Sequence, residues 1–306
     1  MATKKAAAKK TSTAKKAPSK PAATTKVKTT TAKSSAAAAA VATPTKRSAK
    51  LDNNVINIVL AELVGTFVLV LVALLSFKEV MPLYVGLTVA VLVLCVGAVS
   101  GAHLNPAVTF GLWTVKKTKA LLIPFYWGAQ FLGAMAAVVV LNAIAGSKQA
   151  LDFGHFTEFS WPIFMVELVA TAIFLFGLTS VLNRADVSTG HKALGIGLSL
   201  AVGILVSTSL MTAVQSQAFT DYRKDAQDSK EEKGPNIPHT IYVQGATLNP
   251  AVALAATEAT ESELRNTATE DEKRYSRLGL EVILSTLIGA AIGANLARLM
   301  SHRFKS

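Results

Sequence analysis

Three scarcities bound this chain. A single cysteine, Cys95, leaves no partner for an intramolecular disulfide, so no redox compartment follows from it. Set in an apolar run, Cys95 reads as a small buried residue of a membrane span. Charge is scarce as well: 16% of 306 residues are Asp, Glu, Lys or Arg, against 51% hydrophobic residues and a mean hydropathy of +0.41. A soluble domain of that size carries more charge, so the composition points to a polytopic membrane protein. Acid is missing altogether from residues 1–50, which hold twelve Lys and one Arg. Residues 1–50 therefore carry +13, and since the whole chain has a formal net charge of +12 the remaining residues net −1. The five His and one Cys show no metal-ligand spacing, and the sequence contains no nucleophile elbow or phosphate-binding loop. An intramembrane enzyme and a nucleotide-driven transporter are thereby disfavoured, and no metal or cofactor is expected.

What is present divides near residue 50. Residues 1–50 repeat Ala-Lys-Lys units among Ser, Thr and Pro, a composition that buries too little apolar surface to fold alone. Three readings stay open for this segment. It is a cytoplasmic tail drawn to anionic lipid headgroups, a nucleic-acid-binding segment that resembles histone H1-type tails, or an organelle transit peptide, Ser/Thr-rich but nearly free of Arg. The run Ala36–Val41 is too short and too weakly apolar for the h-region of a signal peptide.

Residues 51–306 read as one membrane domain. Apolar stretches near the bilayer-spanning length of about 20 residues lie at 56–77, 83–100, 120–145, 161–182, 193–211 and 279–300. Between the second and third, and again between the fifth and sixth, the same tripeptide interrupts the pattern: Asn105-Pro106-Ala107 in SGAHLNPAVTF and Asn249-Pro250-Ala251 in GATLNPAVALA. Asn is a preferred N-cap, and Pro is tolerated at the first helical position because its missing N–H would be orphaned there anyway. Each tripeptide therefore reads as the start of a short half-helix. Non-helical backbone at membrane depth survives only where protein or a watery cavity satisfies it. Two such starts meeting near the midplane would aim two positive dipole ends and two amides at one spot that repels cations.

The domain also repeats itself. AELVGTFVLVLV around Glu62 matches VELVATAIFLFG around Glu167, so that Glu-x-x-x-Thr occurs twice. The pairs Gly86 with Gly197 and Gly133 with Gly289 sit in matching contexts. The offsets between copies are 105, 111, 144 and 156, and the jump of 33 marks an insertion, at about residues 214–243, before the second tripeptide. Three spans per half make the halves enter from opposite sides, an inverted repeat with its site at the repeat interface. Carboxylates within apolar spans usually face a bundle interior, which is where Glu62 and Glu167 are expected. Small residues, including Gly128, Gly133, Gly289 and Gly293, permit close helix contact. Lys116, Lys117, Lys119, Arg184, Lys192, Arg298, Arg303 and Lys305 share one side with both termini, against the single acid Asp186. That bias makes both ends cytoplasmic and places the insertion, read as a mobile charged loop, outside.

With these features the chain resembles the major intrinsic protein family, the aquaporins and aquaglyceroporins. The resemblance covers residues 56–300 apart from the insertion, and rests on the paired tripeptides, the two Glu-x-x-x-Thr signatures, SGAHLNPAVT and the Tyr126, Gln130, Gly133 pattern. It implies an all-α membrane protein with six transmembrane helices and two re-entrant half-helices. It also implies a homotetramer with a pore in each protomer, in the plasma membrane, passing water or small neutral solutes such as glycerol. Asn105 and Asn249 would then present amide hydrogens to a solute oxygen, with Pro106, Ala107, Pro250 and Ala251 opening the half-helices. Glu62, Glu167, His103 and Gln130 would serve as scaffold. The family narrows its outer pore with an aromatic and an Arg among four residues. By position those four are Val85, Ile204, Ala246 and Val252 here, all apolar. The competing reading is a non-conducting, membrane-anchored interaction protein whose basic tail binds nucleic acid or anionic lipid.

Overall fold

The computed structural model describes residues 54–76, 80–145, 151–228, 236–265 and 273–303. Every element below belongs to the second of the two units, Met1–Ser48 and Ala49–Ser306, into which the chain divides. The basic stretch 1–50 and Lys305 lie outside the described residues.

The architecture is all-α. The helices are α1 (Val55–Leu75), α2 (Met81–Ser100), α3 (Pro106–Thr114), α4 (Ile123–Ala145, led by the 3-10 turn Ala120–Leu122), α5 (Trp161–Asn183) and α6 (Thr189–Asp228), then α7 (His239–Tyr242), α8 (Pro250–Ala255), α9 (Glu261–Arg265) and α10 (Leu280–Arg303). Six of them, α1, α2, α4 with its 3-10 lead, α5, α6 and α10, are long and apolar enough to cross a membrane. They match the six apolar stretches read from the sequence, and α3 and α8 are the two half-helices. Large apolar side chains stay exposed on the outer faces of α2, α4, α6 and α10, among them Leu83, Val91, Val139, Leu198 and Ile292. Such a belt is stable against lipid or another apolar surface, not against water.

Packing repeats as the sequence does. α1 packs on α4 and α5 on α10, with α2 against α6 between the halves. Gly133 of α4 lies against the Leu63 carbonyl of α1, and Gly289 of α10 lies against the Leu168 carbonyl of α5. Leu63 and Leu168 each follow one of the paired glutamates, so the two contacts are the same contact made once per half. At the central crossing, a Cβ on Gly86 would meet the Gly197 carbonyl, and a Cβ on Gly197 the Gly86 carbonyl. Backbone-to-backbone approach of this kind is what small residues permit between membrane helices.

Three expectations are corrected. The first part of the insertion is helix, not loop: α6 runs 40 residues, about 60 Å at 1.5 Å per residue, roughly twice the hydrocarbon thickness. No Gly or Pro interrupts residues 204–228, and local pairs support the exposed turns, with Gln217 Nε2 donating to Asp221 Oδ1 at 3.1 Å and Lys224 Nζ 3.8 Å from the same oxygen. Cys95 is exposed on the outer face of α2. Gly128 has open space where a side chain would stand, so it makes no close helix contact within the protomer.

The Gly86–Gly197 crossing is testable. Gly197→Val drives a branched side chain into backbone and should cost at least about 1–3 kcal/mol, read as a lower thermal midpoint of the purified protein in detergent. Cys95→Ser, on the outer face, should leave that midpoint unchanged.

Candidate functional site

The two tripeptide segments are built alike. Asn105 is the N-cap of α3, its Oδ1 accepting from Ala107 N at 2.7 Å; Asn249 caps α8, its Oδ1 accepting from Ala251 N at 2.9 Å. Pro106 and Pro250 occupy the first helical position. The residue before each Asn is left-handed, with φ 55° at Leu104 and 53° at Leu248. For a branched side chain that costs on the order of 1–3 kcal/mol, so something must hold it.

Two buried carboxylates do. Glu62 accepts from Leu104 N at 2.7 Å, His103 N at 2.9 Å, Ser100 Oγ at 2.6 Å and Gln130 Nε2 at 2.8 Å. Glu167 accepts from Leu248 N at 2.9 Å and from Thr247 N and Oγ1 at 2.8 and 3.2 Å. Bonds to a charged acceptor contribute roughly 1.5–3 kcal/mol each. Three or four of them are comparable with the several kcal/mol that burying a carboxylate costs.

The left-handed turns let each half reach the other. Asn105 Nδ2 donates to the Leu248 carbonyl at 2.8 Å, and Asn249 Nδ2 donates to the Leu104 carbonyl at 3.0 Å. The bonds form a crossed pair between residues more than 140 positions apart. Each amide spends one hydrogen this way and keeps a second. Around them, His103 stacks on Tyr126 with ring centroids 4.3 Å apart, and its Nδ1 lies 3.1 Å from Thr109 Oγ1. Gln130 reaches the same hydroxyl at 3.1 Å.

Both asparagines line a cavity of about 340 Å³. Its lining runs from Ser76 and Met81, beside the α1–α2 turn, to Leu178 and Ile196, near the α5–α6 turn. In a six-span topology those turns lie at opposite membrane faces. The same wall carries Val85, Ile204, Ala246, Val252 and His103, so the fold brings all four apolar positions onto one path with the paired amides. Ala107 and Ala251 are fully buried behind it, as are Glu62, Glu167 and Gln130.

Among the lining residues that the sequence reading did not single out is a cation, Arg277. Its backbone N–H donates to the Ala256 carbonyl at 2.8 Å, next to an isolated bridge between Thr257 and Ser276, so the segment before α10 is pinned to the end of α8. Nη1 donates to Glu281 Oε1 at 2.7 Å, and the side chain is only 4% exposed. Nε and Nη2 are buried without a partner. Arg277 stands 25 residues beyond Val252, and no spacing rule connects the two. The available signal was an Arg four residues before an acid at the head of an apolar span.

Beside Arg277 the fold gathers the one group among the described residues able to hold a metal: His155 Nδ1, His239 Nε2 and a Glu258 oxygen, mutually within 4.8 Å. These atoms come from three separate segments, which is why sequence spacing did not show them. Here His155 Nδ1 is hydrogen-bonded to Glu258 Oε2 at 2.8 Å, while His239 Nε2 lies 3.5 Å from Glu258 Oε1 and 3.5 Å from Glu281 Oε1.

The sequence profile of the major intrinsic protein family matches residues 50–215. Aquaporin Z of Photorhabdus laumondii is 34% identical over 172 residues, covering 48% of this chain and 74% of the relative. Aquaporin NIP2-2 of Zea mays is 35% identical over 121 residues, 40% of this chain and 39% of its own length. Human aquaporin-4 is 33% identical over 141 residues, 44% and 43% of the two chains. Among solved structures, the aquaglyceroporin from Plasmodium falciparum aligns with a TM-score of 0.46 at 21% identity, covering 79% of this chain and 95% of that one. The chain is an integral membrane protein and belongs to the major intrinsic protein family.

Proposed function

We propose that this protein is a passive transmembrane channel for water and small neutral solutes such as glycerol. The observation that carries the reading is the crossed amide pair of Asn105 and Asn249 on the wall of a cavity that reaches toward both membrane faces. A neutral molecule passing the pair exchanges a bond to bulk water for a bond to each second amide hydrogen. A cation meets only donors and the positive starts of the two half-helices. Val85, Ile204, Ala246 and Val252 form the outer constriction in this reading, and their aliphatic surfaces give polar solutes no partner.

Glu62, Glu167, His103 and Gln130 act as scaffold, holding the left-handed turns that aim the amides. The exposed apolar faces are covered by lipid and by neighbouring protomers of a homotetramer. The protein sits in the plasma membrane with both termini cytoplasmic. Lys116, Lys117, Lys119, Lys192 and Arg298 crowd the inner side, and Asp186 is compensated by Arg184, whose guanidinium holds that carboxyl down to about 2. The basic segment 1–50 is read as the part that binds anionic lipid or nucleic acid.

Proteoliposomes of the purified full chain test the reading. Light scattering should show water and glycerol fluxes well above those of empty vesicles, while a proton-sensitive dye stays flat. A chain lacking residues 1–50 should keep these fluxes. No flux from either chain would sink the channel and favour a membrane-anchored binding protein.

The scaffold role predicts a second outcome. In Glu62→Gln one carboxylate oxygen becomes an NH2 facing two donors, so the variant should lose about 2–4 kcal/mol of stability. Thermal unfolding reads that loss, and water flux per folded protein should fall with it.

A further inference from the structure

Next to the lining residue Thr257, the fold brings three side chains from separate segments to one point. His155 comes from the stretch between α4 and α5, His239 opens α7, and Glu258 follows the bridge at Thr257. His155 Nδ1, His239 Nε2 and one Glu258 oxygen lie within 4.8 Å of one another. Two imidazoles and a carboxylate are a donor set that zinc takes in tetrahedral sites, with a fourth position left for water or another ligand. At zinc–ligand bonds of about 2.0–2.2 Å, neighbouring ligand atoms stand roughly 3.3–3.5 Å apart. His239 Nε2 already stands 3.5 Å from Glu258 Oε1. His155 Nδ1, bonded to Glu258 Oε2 at 2.8 Å, exchanges that bond for one to the ion, its ring proton then residing on Nε2.

Charge favours a cation at this point. The Glu258 side chain is 2% exposed, and its ion-pair partners among the described residues are the two imidazoles, with no Lys or Arg. Glu281, whose Oε1 is 3.5 Å from His239 Nε2, is already paired with Arg277 at 2.7 Å. With uncharged rings, two carboxylates against one guanidinium leave one negative charge over. Buried charges are held where they are paired or coordinate a metal.

The ligands are also preset. His155 stacks on Tyr275 with ring centroids 3.6 Å apart and meets His239 edge-on at 5.8 Å. Glu258 N donates to the Tyr275 carbonyl at 2.9 Å, Ser276 N to the Asp152 carbonyl at 2.7 Å and Ala259 N to the Tyr242 carbonyl at 2.8 Å. Each ligand-bearing segment is thus tied to its neighbours before any ion binds, which lowers the ordering cost of binding. The His155 side chain, 27% exposed, opens the cluster to solvent.

We propose that His155, His239 and Glu258 form a structural site for a divalent transition ion of the zinc class, with water or Glu281 Oε1 in the fourth position. The ion locks together the stretch before α5, the return from α6 through α7, and the segment leaving α8. Glu258 directly follows Thr257 in the cavity lining, but none of the three ligands is among the described residues that line it. The ion braces the frame of the cavity without entering it. Magnesium and calcium, which prefer six or more oxygen ligands, are poorly served by a set with two nitrogens. The site stands whether or not the protein conducts.

The test uses the full chain, purified without a histidine tag, stripped with EDTA and titrated in detergent with zinc or magnesium chloride. Bound metal per protomer, calorimetric affinity and the thermal midpoint are read. The unmodified chain should bind one zinc per protomer and gain about 5–10 °C at zinc a hundredfold above its Kd, with no gain from magnesium. H155A and H239A should each weaken zinc by about a hundredfold or more and abolish the gain, whereas H191A, at the exposed start of α6, should keep both. E258Q removes the anionic ligand and should act like the histidine variants; should it fail to fold, those two decide alone. Absence of zinc binding, an affinity and gain unchanged in the H155A/H239A double variant, or an equal gain from magnesium would each overturn the proposal and leave a hydrogen-bonded His–Glu network only.

Discussion

Backbone that leaves the helix inside a membrane has no water to bond with, and this constraint organises the whole domain. Two segments, 101–104 and 243–248, are non-helical between long apolar helices. The N–H groups of His103 and Leu104 are taken by Glu62 and those of Thr247 and Leu248 by Glu167, and the carbonyls of Leu104 and Leu248 are taken by the amide of the opposite motif. Removing either carboxylate would strand donors and release a strained turn together. The buried charge, the left-handed residue and the Asn-Pro step are therefore one device, made twice. Because each copy's carbonyl is satisfied by the other copy's side chain, neither half can be completed alone.

That reciprocity explains why so much of the fold was legible in the sequence. Apolar runs of bilayer length gave all six crossings, and the paired Asn-Pro-Ala steps gave the two half-helix starts, since capping chemistry is local. The repeats at Glu62 and Glu167 and at Gly133 and Gly289 reappear as equivalent contacts, because a short side chain at a backbone crossing has few other uses. Local rules failed where tertiary placement decides. The helical extension of α6 lies in a charged stretch whose turn residues begin only at Gly234, and charge was mistaken for loop. Cys95 and Gly128 follow apolar and small-residue patterns that say a residue is in a span but not which way it faces.

The largest omission, Arg277, has the same origin. Reading by offset from the second motif fixes attention on Val252, while the fold brings Arg277 to the lining of the same cavity, beside a backbone bridge between Thr257 and Ser276. One backbone bond to Ala256, one hydroxyl at Ser276 and one carboxylate at Glu281 hold it there.

The outer network also shows how a buried guanidinium is tolerated. An unpaired buried cation would cost several kcal/mol. Glu281 pairs with Arg277 through one nitrogen, yet the same oxygen is shared with His239, which also approaches Glu258. Nε and Nη2 of Arg277 stay buried without a hydrogen-bond partner. The single bond to Glu281 therefore offsets only part of what burying the guanidinium costs, and the ties on the Arg277 backbone must hold it in place against the remainder.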